Sequence, residues 1–282
     1  MTVVISAGLV ASLSRAIIGS DANGNNPIIG YDNLVTTGNI TSTTEAASFP
    51  VVNLANPLTH QYWLGVIGSP NVDEYITVVV DTAEEIDYVG IAGHNFGSGL
   101  IPVSIEVQAT SVDAFVEVIA DLFLPDDGPA IFRFTPQSAY AVRVRLQPSQ
   151  LSTPVAPQAA VLYIGKLLIL QRRIYIGHTP INYGRETRVI TGKSESGNFL
   201  GRIITGENRS TAVSMPNLTP AWYRTYLDPF ISFAQRYPFF FAWRPLDYPY
   251  ETGFAWITDS PKPSNQRGNG MVQISFQMMG IV

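Results

Sequence analysis

The sequence predicts an all-β protein, with an antiparallel β-sandwich in its N-terminal half and a second β-domain with one flanking helix behind it. Three observations carry that prediction. Short apolar runs, broken by Gly, Pro, Asn and Asp, recur from Tyr31 to Gln147. Several alternate with period two: in VSIEVQ, Val103, Ile105 and Val107 share one face, and Ser104, Glu106 and Gln108 share the other. Helical spacing is convincing in one stretch alone, about residues 219–236.

In chain order, residues 1–30 are expected to form an N-terminal arm or the first strand of the C-terminal domain. Their start, MTVVISAGLVASLSRAIIGSD, has no positive side chain before the apolar run, and Arg15 follows it, the wrong order for a secretory leader. Strands are expected at 77–81, 88–93, 103–110, 115–123, 131–135 and 140–147. With no helix between them they make a sandwich over 31–148. Residues 148–160 hold three prolines and no charge, which sets a linker at 149–160. The second domain, 161–282, opens with a long strand or strand pair at 161–177, then a Gly-punctuated hairpin array. Thr219 and Pro220 suit the cap and first turn of the helix. Trp222, Tyr223, Tyr226, Leu227, Phe230, Ile231 and Phe233 recur along it at three- and four-residue steps, Pro229 interrupts it to give two short helices or a kink, and Pro238 ends it. PFFFAW (238–243), GFAWITDS (253–260) and MVQISFQMMGI (271–281) close the chain as strands. The expected core includes Trp63, Val89, Ile91, Trp222, Tyr226, Phe230, Phe240, Trp243 and Trp256.

Of the 282 residues, 46% are hydrophobic and only 14% charged. So little charge leaves much of the exterior to be covered by other subunits. The charge is also divided. Residues 1–164 carry 4 basic residues against 15 acids, a balance of −11, and residues 165–282 carry 13 against 7, a balance of +6. Two domains of opposite sign can attract neighbouring copies. The absence of cysteine excludes disulfides and thiolate metal sites. No run of 18 apolar residues is present, so no membrane span is expected.

Catalytic patterns are missing. His60, His94 and His178 lie in separate loops without metal-ligand spacing, and there is no HExxH, GxSxG, P-loop or GxGxxG. GKSESG (192–197) reads as a turn, DDG (126–128) as a turn rather than a calcium loop, and Glu84–Glu85 and Asp73–Glu74 as solvated surface. The expectation is therefore no enzyme, no cofactor and no metal. His94–Asn95, in YVGIAGHNFGS (88–98), reads as a strand end capped by polar side chains. For glycan binding the candidates are His60, Tyr62 and Trp63, because sugars stack on flat rings beside polar partners. For Trp63 the competing reading is core.

Two resemblances add to this. Residues 40–65, 74–96 and 101–110, through Asn53–Leu54, Trp63, Asp81, Ile86–Asp87, Val89–Ile91, His94–Asn95 and Ile105–Gln108, resemble the discoidin-type, galactose-binding-like jelly roll. In that pattern His94–Asn95 is structural. Residues 192–215, 218–243 and 271–281 resemble distal-tail and tail-tip proteins of long-tailed bacteriophages, whose core is tail-tube-like. That resemblance implies a virion tail protein, made in the host bacterial cytoplasm and closing into a ring by inter-subunit β pairing. A hexamer is preferred and a trimer is the alternative. Its partners would be the tube, tape measure and tip or hub proteins, with DNA passing through the channel. Carbohydrate binding to a host glycan is the alternative function, and a tail-associated depolymerase the third.

Overall fold

The computed structural model describes residues 2–7, 9, 23–67, 72–174, 177–266, 268 and 270–281. Residues 8 and 10–22, which fall in the expected N-terminal arm, lie outside them. Among the described residues, strands dominate and one helical segment, 220–234, is present besides short turns. The fold is all-β.

The first sheet joins β5 (Glu74–Ala92), β6 (Val103–Gln108), β7 (Val116–Leu122), β8 (Ala130–Leu146) and β10 (Val161–Gly165) in the order β10-β5-β8-β6-β7. β3 (Ile40–Ser42) adds to β5, and β1 (Thr2–Ile5) adds to β8 as a parallel neighbour. β5 and β8 each absorb two expected strands. Their register breaks between Val79 and Tyr88, and Asp81 adopts a positive φ of 40° there. The bulged middle lets the sheet fold over itself. Ile76 and Val78 from one half of β5 accordingly share a core with Val89 and Ile91 from the other. Trp63, in the short ribbon of β4 (Trp63–Leu64) and β9 (Gln158–Ala159), sits fully buried in that core.

The second sheet runs β11-β2-β14-β15-β17-β13-β12, with β2 at Ile28–Gly30, β11 at Leu168–Ile169, β12 at Arg185–Lys193, β13 at Phe199–Leu218, β14 at Phe239–Ala242, β15 at Thr252–Ile257 and β17 at Val272–Ile281. β16 (Ser264–Asn265) pairs at the edge of β17. The helical segment covers one face. Tyr223, Leu227, Phe230, Ile231 and Ala234 are buried, and Phe230 meets Phe239 edge-on at 4.9 Å. Its middle turn, Tyr223–Leu227, is a π-turn ahead of Pro229, so the helix continues through the proline instead of breaking. Thr219 does not cap through its side chain; its hydroxyl accepts from Gln171 Nε2 at 3.0 Å.

Three sequence expectations are corrected. The boundary between the units is not a linker at 149–160. Gln158–Ala159 pairs with Trp63–Leu64, and Val161–Gly165 completes the first sheet beside β5. The N-terminal segment is divided, since Thr2–Ile5 joins the first sheet and Ile28–Gly30 the second. Tyr226 and Trp256 are not core. Tyr226 is 52% exposed because the buried stripe runs 223, 227, 230, 231, 234 and misses it. Trp256 is 41% exposed because it shares a face with Phe254 but lies beyond the sandwich that covers Phe254. Trp222 and Trp243 are half-buried, whereas Val89, Ile91, Phe230 and Phe240 are buried.

The two units share a third apolar cluster, with Tyr88, Val161 and Tyr163 from the first sheet against Ile28, Phe240 and Phe254 from the second. Two glycines make the contact close. A Cβ on Gly90 would lie 2.7 Å from the Phe240 ring, and one on Gly30 would lie 2.6 Å from the Tyr88 ring. Each sheet thus lays an aromatic ring on the bare backbone of the other.

Two buried titratable groups oppose each other in pH. Burial holds the His94 imidazole down at about 4, with Asp127 partly offsetting. Burial lifts the Asp87 carboxyl to about 6, against the Leu167 N–H it accepts at 2.7 Å and the nearby Arg133. Lowering pH from 6.5 to 4 therefore removes roughly 3 kcal/mol through His94, which takes up a proton more readily unfolded. Between about 6 and 3.8 Asp87 returns a similar roughly 3 kcal/mol, because the folded state holds its proton more tightly. Thermal melts at pH 6.5, 5 and 4 should separate the two. Asp87→Asn should lose stability on acidification relative to the parent chain, and His94→Asn, which keeps an acceptor for the Phe96 N–H, should gain. Parallel curves for all three chains would refute the assignment.

Candidate functional site

The glycan candidates do not assemble into a platform. His60 is exposed, Tyr62 is half-buried and stacked on Phe49 at 4.5 Å, and Trp63 has no exposed surface. The Trp63 indole N–H donates to the Thr44 carbonyl at 3.0 Å. A ring enclosed on both faces cannot stack a sugar, so Trp63 is corrected from contact residue to core. Trp63→Ala should cost roughly 3–5 kcal/mol of stability, while His60→Ala should leave the melting curve unchanged; chemical denaturation of the two variants checks this.

Asn95 staples the end of β5 to the segment before β9. Its Nδ2 donates to the Ala156 carbonyl at 2.8 Å, and its Oδ1 accepts from the Gln158 N–H at 2.9 Å. His94 stacks on Phe96 at 4.7 Å. The apparently paired carboxylates point to separate partners. Asp73 meets Arg145 at 2.7 Å, and Glu74 accepts from the Thr44 N–H and hydroxyl at 2.6 and 2.9 Å.

The sequence did not single out the most unusual surface, the hairpin of β12 and β13. β17 pairs with β13 only from Arg209 onward. Among the described residues, β13 before Arg209 has β12 as its sole strand neighbour, and β12 is the sheet edge. Eight strand rungs thus project as a two-stranded ribbon roughly 30 Å long. GKSESG forms the tip, where Ser194 Oγ accepts from the Asn198 N–H at 3.0 Å. Val189 lies opposite Ile204, and Ile190 opposite Ile203. Adjacent rungs point to opposite faces, so both faces carry an apolar pair. Ile190, Phe199, Leu200, Ile203 and Ile204 are each 63–68% exposed. An isolated two-stranded hairpin is marginal in water, and this one spends its apolar side chains on solvent. Covering those five would contribute on the order of 5 kcal/mol.

No family model matches the chain, and no curated protein matches it. Among solved structures, this chain is similar to chitosan-binding module 1 of a chitosanase/glucanase from Paenibacillus sp. IK-5, with 18% identity, a TM-score of 0.40, and coverage of 47% of this chain and 97% of that one. It is also similar to CBM32-3 from a family 31 glycoside hydrolase of Clostridium perfringens, with 18% identity, a TM-score of 0.39, and coverage of 47% and 94%. A GH29 fucosidase of Ruminococcus gnavus matches at 11% identity and a TM-score of 0.40 over 49% of this chain and 27% of that one. Likeness at this level assigns this chain neither ligand nor activity.

Proposed function

We propose that the chain is a structural subunit that assembles with copies of itself through the β12–β13 ribbon. The carrying observation is that ribbon, with two free edges and apolar side chains on both faces. Free edges offer unpaired N–H and C=O groups to a neighbouring strand, and the exposed isoleucines offer area to bury once it docks. A head-to-tail contact of this kind repeats around an axis, and it makes a ring when its rotation closes and an open filament when it does not. The resemblance of residues 192–215, 218–243 and 271–281 to phage distal-tail and tail-tip proteins supports a place in a virion tail, joining tube to tip, with six copies preferred over three. The role is assembly rather than catalysis. Negative-stain images and light scattering of the purified chain at micromolar concentration should show closed rings. A strict monomer that is also missing from virions by mass spectrometry would overturn the reading.

A second reading, recognition of a host-surface glycan, is favoured by Tyr183 and Tyr250. Each is 64% exposed, and both line a cleft beside the turn Asp126–Gly128, whose lining does not include His60–Trp63.

A further inference from the structure

We propose that this cleft is a saccharide-binding site selective for uncharged hexose oligosaccharides, an inference that rests on the glycan reading and gives it a location and a ligand class. The cleft has a volume of about 610 Å³ and opens where the two units meet. The sandwich supplies one wall, the turn Asp126–Gly128 between β7 and β8. The second unit supplies the other, with Tyr183, Arg185, Arg209 and Tyr250.

Both walls are held before any ligand arrives. On the sandwich side the Gly128 N–H donates to Asp126 Oδ1 at 3.0 Å, and the Ser98 N–H donates to Asp127 Oδ1 at 2.8 Å. On the other side Asn182 Nδ2 donates to the Tyr250 carbonyl at 3.0 Å, and Arg209 donates to the Asn182 carbonyl at 2.8 Å. Arg209 also meets Glu207 at 2.9 Å. Asp127 thus lines one wall of the cleft, and Arg185 and Arg209 line the other.

Each group matches one part of a sugar. Exposed tyrosine rings provide flat apolar faces for the C–H side of a pyranose, with a hydroxyl at the rim. Asp127 is an acceptor for a sugar hydroxyl, and Arg185 and Arg209 are donors to ring and hydroxyl oxygens. Charge sets the class. Asp127 on one wall disfavours a uronate or sialate carboxylate, and Arg185 and Arg209 on the other disfavour a protonated amino sugar. An uncharged, polyhydroxylated chain satisfies both walls.

The test uses the full chain and three probes, neutral tetrasaccharides of glucose, galactose and mannose, followed by saturation-transfer NMR and titration calorimetry. At least one probe should bind. Tyr183→Ala and Tyr250→Ala should each weaken it about tenfold or more, in the range expected for a lost aromatic contact. Asp127→Asn, which keeps the acceptor for Ser98, should weaken it less. Binding lost in Tyr62→Ala but kept in the cleft variants would overturn this location and leave glycan recognition standing. Preference for an acidic or amino oligosaccharide would overturn the class. No binding of any probe would overturn both the site and the glycan reading, without bearing on ring assembly, which light scattering reads separately.

Discussion

The double variant Ile203→Asp/Ile204→Asp should be a folded monomer. The two residues lie on consecutive rungs, so one carboxylate enters each face of the ribbon. Both are largely exposed, at 67% and 63%, and neither belongs to a core cluster. The melting temperature and circular dichroism should therefore match those of the parent chain. Association should not survive. Losing two isoleucines from an interface forfeits about 1–2 kcal/mol each, and a buried unpaired carboxylate adds several more. Together these weaken each contact at least roughly 100-fold. Ring closure amplifies the loss, because every subunit contributes the same defect. Light scattering at micromolar concentration is the readout. A variant that still forms rings would show that the ribbon is not the assembly element. A variant that unfolds would show that its apolar residues stabilise the subunit itself.

The ribbon was only half legible in the sequence. Its glycines and GKSESG turn gave a hairpin, and the structure has one there. Its projection depends on where β17 stops pairing with β13, a non-local fact that no periodicity records. The signal that could have exposed it is IITG with VITG across the turn, which places apolar residues at adjacent positions in both strands. Adjacent apolar residues point to opposite faces of a strand. Such a hairpin is either buried on both faces or unpartnered in the subunit.

Alternation was a dependable guide within the sandwich, where Val103, Ile105 and Val107 do enter the core. It failed where both faces are covered. The stretch VLYIGKLLIL at 161–170 is apolar apart from Lys166, and the structure divides it on either side of that residue between the two sheets as β10 and β11. A chain crossing between two packed units buries both faces of its strands, so the boundary is marked by a single exposed residue, Lys166, and by no change of periodicity. Prolines at 148–160 looked like a linker for the converse reason. That segment is irregular, but Asn95 and Trp63 pin it to the sandwich rim. The cleft was less legible still. Tyr183 and Tyr250 are 67 positions apart and meet Asp126–Asp127 only through the docking of the two units.

That docking predicts one cooperative unfolding transition for the whole chain, and a single substitution that divides it. In Gly90→Val, the new side chain starts where the Phe240 ring now lies, 2.7 Å from the first added carbon. Phe240 has no room to retreat, since it is fully buried between Tyr163 at 5.5 Å and Phe254 at 4.9 Å. Overpacking of this kind costs roughly 1–3 kcal/mol where neighbours can shift. Here the far wall is the paired sheet of the other unit, and the Tyr88 ring fills the reciprocal site on Gly30. The strain is best relieved by separating the sheets, which forfeits burial of several aromatics at roughly 1.5–3 kcal/mol each. Each unit keeps its own larger core, around Trp63 in one and Phe230 in the other. Calorimetry should therefore show the parent's single peak resolve into two, the lower at reduced temperature. A mere uniform downward shift of one peak would mean that neither core stands without the other, and that the aromatic contact between the sheets is part of a single folding unit.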